Sequence, residues 1–139
     1  MNITVTGGAG FLGSRLIAAL LKAKPEARII SLDRGVCPVT HDNVTSMTGS
    51  IDDAADVARA IPAGMDIVYH LAAVLSGQSE QEFDTGLHIN VDATRLILER
   101  CRALAQPPRV IFTSSLAVFG GEMPQIVPQG WATRPASSY

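Results

Sequence analysis

The chain has 139 residues, 47% hydrophobic and 17% charged, which is enough apolar material for one soluble globular domain. A net charge of -2 at pH 7 with no block of like charges gives no footprint for a nucleic-acid or membrane surface. Neither a signal-peptide pattern nor an eighteen-residue apolar run occurs, so a cytoplasmic protein is expected; Cys37 and Cys101, lacking CxxC or CxxH spacing, are expected to be reduced, with no metal bound.

In chain order, the apolar runs "NITVT", "ARIISLD", "NVTSMTG", "MDIVYHLAA" and "RVIFTSS" are expected as buried strands. Helical spacing covers residues 10–23, 51–60 and 80–105. In the longest stretch Phe83, Leu87, Val91, Thr94, Leu98, Cys101 and Leu104 or Ala105 recur at three and four, which predicts one buried stripe. "RGVCPVTHD" is too short and too broken to be a helix between the second and third strands. Strands alternating with helices imply a parallel sheet, because parallel neighbours cannot be joined by a tight turn. The end, "GGEMPQIVPQGWATRPASSY", reads as a long loop, with Ser137 or Ser138 placed to open another helix.

The stretch "TGGAGFLG" puts glycines directly between the first strand and the first helix. Glycines there let the backbone turn tightly, approach a pyrophosphate closely and pack the helix on the strand, while the helix N-terminus offers N–H groups to the phosphates. A ligand-free strand-to-helix turn reads the same way. The context favours the nucleotide, since Asp33 follows twenty residues after Gly13 at the end of the second strand. A carboxylate there accepts hydrogen bonds from ribose hydroxyls and repels a 2′-phosphate, so NAD is expected over NADP, with Arg34 as a partial counterweight. His41, His70 and His88 share no metal-ligand spacing, and His70 reads as a strand-end residue. Asp52, Asp53 and Asp56 read as charges at a helix N-terminus.

Thr6, Gly7, Gly10 and Gly13 give TGxxGxxG; "HLAA" follows at 70–73, "NVDAT" at 90–94, "FTSSLAVFGG" at 112–121, and Tyr139 stands 24 residues beyond Ser115. Together these motifs, spread over the whole chain, resemble the extended short-chain dehydrogenase/reductase (NAD-dependent epimerase/dehydratase) family. The resemblance implies an α/β fold with a doubly wound parallel sheet, the Rossmann fold. It also implies that residues 1–139 are an NAD-binding domain stopping before the C-terminal substrate lobe.

By the same resemblance, Gly7, Gly10 and Gly13 form the phosphate turn, Phe11 and Leu12 present backbone N–H groups to the pyrophosphate, and Asp33 holds the adenosine ribose. Ser50 and Ile51 stand where the family commonly has Asp and an apolar residue against adenine, so Ser50 is a departure. Leu71, Ala72 and Ala73 line the cofactor channel, ordinary strand packing being the alternative. Asn90 matches the helix Asn of the family's active site, with a locally bonded Asn as the alternative. Ser115 holds the reacting substrate oxygen, unless it merely bonds its own loop, and Tyr139 is the general base of a dehydrogenase acting on a secondary hydroxyl of a small sugar acid. In the family the Tyr begins YxxxK, and the sequence stops before that Lys, so the chain as given is expected to be inactive. A sugar-nucleotide epimerase or dehydratase and a non-catalytic NAD-binding module are the alternatives. The expected partner is the small-molecule substrate, with neither nucleic acid nor membrane, and a homodimer is one option.

Overall fold

In the computed structural model, which describes residues 1–136 and 139, the chain runs β1 (Asn2–Thr6), α1 (Phe11–Ala23), β2 (Arg28–Asp33), β3 (Val44–Thr48), α2 (Ala54–Ala60) and β4 (Ile67–His70). It continues through α3 (Ser76–Gln81), α4 (Phe83–Leu87), a π turn (His88–Asp92), α5 (Ala93–Arg102), β5 (Arg109–Phe112) and a short 3₁₀ turn (Leu116–Val118). All five predicted strands are present, and they pair in parallel in the order β3-β2-β1-β4-β5. Residues 137 and 138, on which a further helix start was expected, lie outside the described residues.

Strand β1 is central and is buried on both faces, and its alternation sorts the two layers. Ile3 and Val5 point to one side, where they pack with Ile29 of β2 and with Ile17 of α1. Thr4 and Thr6 point to the other side, where the core is built from Leu32, Val68, Val57 of α2 and Ala93, Ile97 and Cys101 of α5. The two threonines do not leave bare hydroxyls in that layer: Thr4 Oγ1 donates to the Ala60 carbonyl at 2.5 Å, and Thr6 Oγ1 meets His70. Helices thus cover both faces of a parallel sheet, which is the doubly wound arrangement. The segment between β2 and β3 carries no helix, as its sequence requires. Both cysteines are buried and unpaired, with Cys37 Sγ 3.7 Å from the Gly8 carbonyl.

The stretch read as one helix over 80–105 needs correction. It is divided into α3, α4, the π turn and α5, and much of the expected stripe faces outward: Phe83 is 56% exposed, Val91 54% and Leu98 48%, while Cys101 of the same stripe is buried. The buried positions are Gly86, Ala93, Ile97 and Cys101. Two stripes of three-and-four spacing interleave on this segment, and the one with small residues wins because α3 and α4 pack closely. A Cβ on Gly86 would stand 2.9 Å from Ser79 Cβ. On the first turn of α5, the Thr94 hydroxyl donates back to the Asn90 carbonyl of the π turn at 2.8 Å, an i−4 bond that competes with regular helix pairing.

Candidate functional site

Because β1 lies between β2 and β4, the connections on either side of it run in opposite directions, and a crevice opens at the carboxyl ends of these strands. A cavity of about 850 Å³ occupies the crevice. All eleven positions assigned to cofactor binding line it: Gly7, Gly10, Phe11, Leu12, Gly13, Asp33, Ser50, Ile51, Leu71, Ala72 and Ala73.

The three motif glycines are required for three different reasons. Gly7 has φ +75, a left-handed conformation that side chains rarely adopt, and a Cβ there would stand 2.8 Å from the Ala72 nitrogen. Gly13, on the first turn of α1, lies against the turn itself, and its Cβ would come within 2.1 Å of the Gly7 carbonyl oxygen. Gly10 is different, since its backbone is ordinary (φ -74, ψ 174) and its Cβ would meet only the Gly7 oxygen, at 3.2 Å. What Gly10 keeps clear is the cavity in front of α1. It also gives α1 no capping side chain, and the first turn holds no acidic residue. The N–H groups of the first turn, with the positive end of the helix dipole, are therefore offered to an anion in the cavity.

Asp33 is held by two backbone N–H groups, one on each oxygen: Ala9 donates to Oδ2 and Gly35 to Oδ1, both at 3.0 Å. The carboxylate is thus fixed beside the glycine turn with lone pairs left for two hydroxyls. Further along the cavity, the Ser50 N–H donates to Asp56 Oδ2 at 2.9 Å, and Asp53 caps α2 by accepting the Asp56 N–H at 2.9 Å. The Asp residues expected at this helix start take up those roles. Asp56 is also held below the ordinary carboxylate range by the Ser50 N–H and by Arg59. Asp52 faces the cavity, where the Ser50 hydroxyl, foremost, and His88 hold its carboxyl below the usual range. His88 Nε2 lies 3.2 Å from Asp52 Oδ2.

Asp84, Thr85, His88 and Ile89 are among the wall residues that were not expected there. The sequence signal for them was the same three-and-four spacing, read with the wrong face inward.

A second cavity of about 230 Å³ contains Ser115, Tyr139 and Asn90, the three residues assigned to chemistry, and shares Leu71, Ala72, Ala73 and Leu75 with the first. Ser115 Oγ accepts the Ala117 N–H at 3.2 Å, which caps the 3₁₀ turn and leaves the hydroxyl proton to donate elsewhere. The local-bond reading of Ser115 is thus met. Asn90 is locally bonded: its Oδ1 accepts the Val74 N–H at 2.8 Å and its Nδ2 donates to the Val74 carbonyl at 3.0 Å. It clasps the loop that forms the common wall. Tyr139 is 37% exposed at the rim.

A glycine turn opening onto a helix N-terminus, with an anchored carboxylate at the end of the next strand, defines a nucleotide-binding α/β domain of the Rossmann class. Residues 3–139 match the NAD dependent epimerase/dehydratase family, and the chain belongs to that family. Among its relatives, the D-erythronate dehydrogenase of Cupriavidus necator is 45% identical over 150 residues, which cover 100% of this chain and 46% of the relative. The crystal structure of a nucleoside-diphosphate-sugar epimerase from Agrobacterium tumefaciens superposes with a TM-score of 0.91 at 31% identity, covering 99% of this chain and 44% of that one. A Thermus thermophilus UDP-glucose 4-epimerase in complex with NAD superposes at 0.80 with 27% identity, over 100% of this chain and 46% of that one. The chain spans a little under half the length of these proteins. NAD is the cofactor of the family, and the residues present fit it: the cradle that a Cβ on Gly10 would enter, the first-turn N–H groups of α1 and the doubly anchored Asp33.

Proposed function

We propose that residues 1–139 form the dinucleotide-binding domain of an NAD-dependent dehydrogenase that oxidises a secondary hydroxyl of a small sugar acid, D-erythronate, to its 2-oxo acid. One observation carries this reading: Ser115, Tyr139 and Asn90 gather at a cavity that shares a wall with the glycine cavity. The similarity to a D-erythronate dehydrogenase over the full chain supports the substrate. In this reading the protein works in the cytoplasm and its substrate lobe is a separate part.

The glycine turn and the first turn of α1 bind the pyrophosphate, Asp33 the adenosine ribose, and Ser50 and Ile51 border the adenine. Leu71, Ala72 and Ala73 form the apolar wall that leads to the second cavity and excludes water from it. NAD, when bound, supplies the acceptor for the hydride leaving the substrate carbon. Ser115, whose oxygen is fixed by the Ala117 N–H, donates its hydroxyl proton to the reacting substrate oxygen. Tyr139 takes the proton of that substrate hydroxyl as general base. Asn90 acts on the loop rather than on the substrate, holding Val74 and with it the common wall.

Incubating NAD and D-erythronate with residues 1–139, and with a chain extended to the length of the relatives, tests the reading. NADH formation by the extended chain, abolished by Tyr139→Phe, is the expected result, and D-erythronate left unoxidised by the extended chain rejects it. The likeness to epimerases favours one other reading, isomerisation of a nucleotide sugar, which gives product without net NADH.

A further inference from the structure

His70 lines neither cavity, yet its ring touches elements that build both. Thr6, His70 and Phe112 are register partners across β1, β4 and β5 at the carboxyl ends of the strands. The His70 side chain projects into the α5 layer, is 1% exposed, and packs against the Phe112 ring at 5.5 Å between centroids. Its Nδ1 lies 2.7 Å from Thr6 Oγ1 and its Nε2 2.9 Å from Thr94 Oγ1.

The neighbours decide where the hydrogens are. Thr94 Oγ1 spends its proton on the Asn90 carbonyl at 2.8 Å, so it can only accept from His70, and Nε2 carries the hydrogen. A neutral ring then has an acceptor at Nδ1, to which the Thr6 hydroxyl donates. Thr6 Oγ1 in turn accepts the N–H groups of Leu71 and Ala72, at 3.2 and 3.3 Å. Donation therefore runs one way through the core, from the Leu71–Ala72 backbone to Thr6, to His70, to Thr94 and to the carbonyl of Asn90. The opposite tautomer breaks this chain at both ends: it strands the Thr6 proton and takes the Thr94 proton away from Asn90.

We propose that His70 is a positioning residue for the dinucleotide site, a neutral, Nε2-protonated ring that sets the spacing between the glycine turn and the helix carrying Asn90. The proposal rests on the NAD reading above. Thr6 leads directly into Gly7, Leu71 and Ala72 line both cavities, and Thr94 stands one turn from the Asn90 side chain that clasps Val74. The ring thus acts as a strut of fixed length behind the wall of the crevice. Burial keeps it uncharged at neutral pH, with its pKa pushed down to about 4. An apolar side chain of the same size fills the space and makes neither bond.

The test combines imidazole nitrogen NMR of this chain with calorimetric titration of NAD into wild type, His70→Gln, His70→Asn and His70→Phe. In the wild type, the His70 nitrogens at pH 7 should show the neutral Nε2–H tautomer, and adding NAD should shift the His70 signals although His70 does not line the glycine cavity. His70→Phe should bind NAD about tenfold more weakly while folded, and His70→Gln, which still reaches Thr94, or His70→Asn, which still reaches Thr6, should fall between. A purely structural role predicts lower stability with unchanged NAD affinity in the folded variants, which overturns the proposal. So does an Nδ1–H tautomer, or NAD binding that leaves the His70 signals in place, and these readouts hold if the variants do not fold. Absence of NAD binding by the wild type instead rejects the function reading, and the tautomer then decides the relay by itself.

Discussion

Acidification from neutral pH should weaken this fold through His70. The ring is 1% exposed and its pKa in the folded chain is about 4, against an ordinary value of 6.5, with burial as the cause. Between these pH values the unfolded chain holds the proton and the folded chain does not, so stability must fall as pH falls. The slope approaches about 1.4 kcal/mol per pH unit, and the full interval removes about 3 kcal/mol. Below about pH 4 both states are protonated and the loss levels off; above 6.5 neither state is, and there is no effect. Asp52 and Asp56 are lowered in the folded state and contribute stability that disappears only as pH falls through their own, lower range. Urea unfolding of wild type and His70→Asn at steps from about pH 7 to about 4.5 isolates the histidine, because the variant keeps every other titrating group. The wild-type curve should drop toward that of the variant as pH is lowered. Parallel curves, with a constant difference between the two proteins, refute the argument.

The glycines should separate folding from binding. Gly13→Ala places Cβ 2.1 Å from the Gly7 oxygen and 2.7 Å from Gly8 Cα, an overlap with backbone that should cost more than the roughly 1–3 kcal/mol of ordinary overpacking, seen as a lower urea midpoint. Gly10→Ala has only a 3.2 Å contact to relieve, so stability should stay within about 1 kcal/mol of wild type while NAD affinity by calorimetry falls at least about tenfold. Asp33→Asn removes the charge that repels a 2′-phosphate and should narrow the preference for NAD over NADP, measured by titration with both nucleotides. Ser31 Oγ is the buried side-chain oxygen without a hydrogen-bond partner among the described residues, so Ser31→Ala should leave stability unchanged or raise it by about 1 kcal/mol.

The parts of the site legible in the sequence are those where one residue type answers one local demand. A left-handed turn at Gly7, close packing at Gly13 and a clear approach at Gly10 each call for glycine, and Asp33 stands at a strand end whose position follows from the apolar run before it. The parallel sheet was legible for the same reason, since runs such as "NITVT" and "RIISLD" fit burial on both faces. The outward turn of Phe83, Val91 and Leu98 was not legible. Spacing of three and four tells that a helix has an apolar face but not which of two interleaved faces meets the sheet, and that choice fell to the small residues Gly86 and Ala93. Nor did spacing reveal His70 as more than a strand end. Its importance arises from Thr94, 24 positions away on α5, which helix packing brings to it, and from Thr6, 64 positions away, which the sheet register brings to it.

The π turn at His88–Asp92 has a consequence for chain length. It accommodates one residue more than an α-helical turn, and within it Asn90 offers its carbonyl to Thr94 and its amide to Val74. Removing one residue between 88 and 92 should bring the segment back to α-helical winding and turn the preceding helices by about 100° against α5. The amide then swings off Val74, and the wall shared by the two cavities loses its anchor. This segment lies at the protein surface, yet its residue count decides where the Asn90 side chain points.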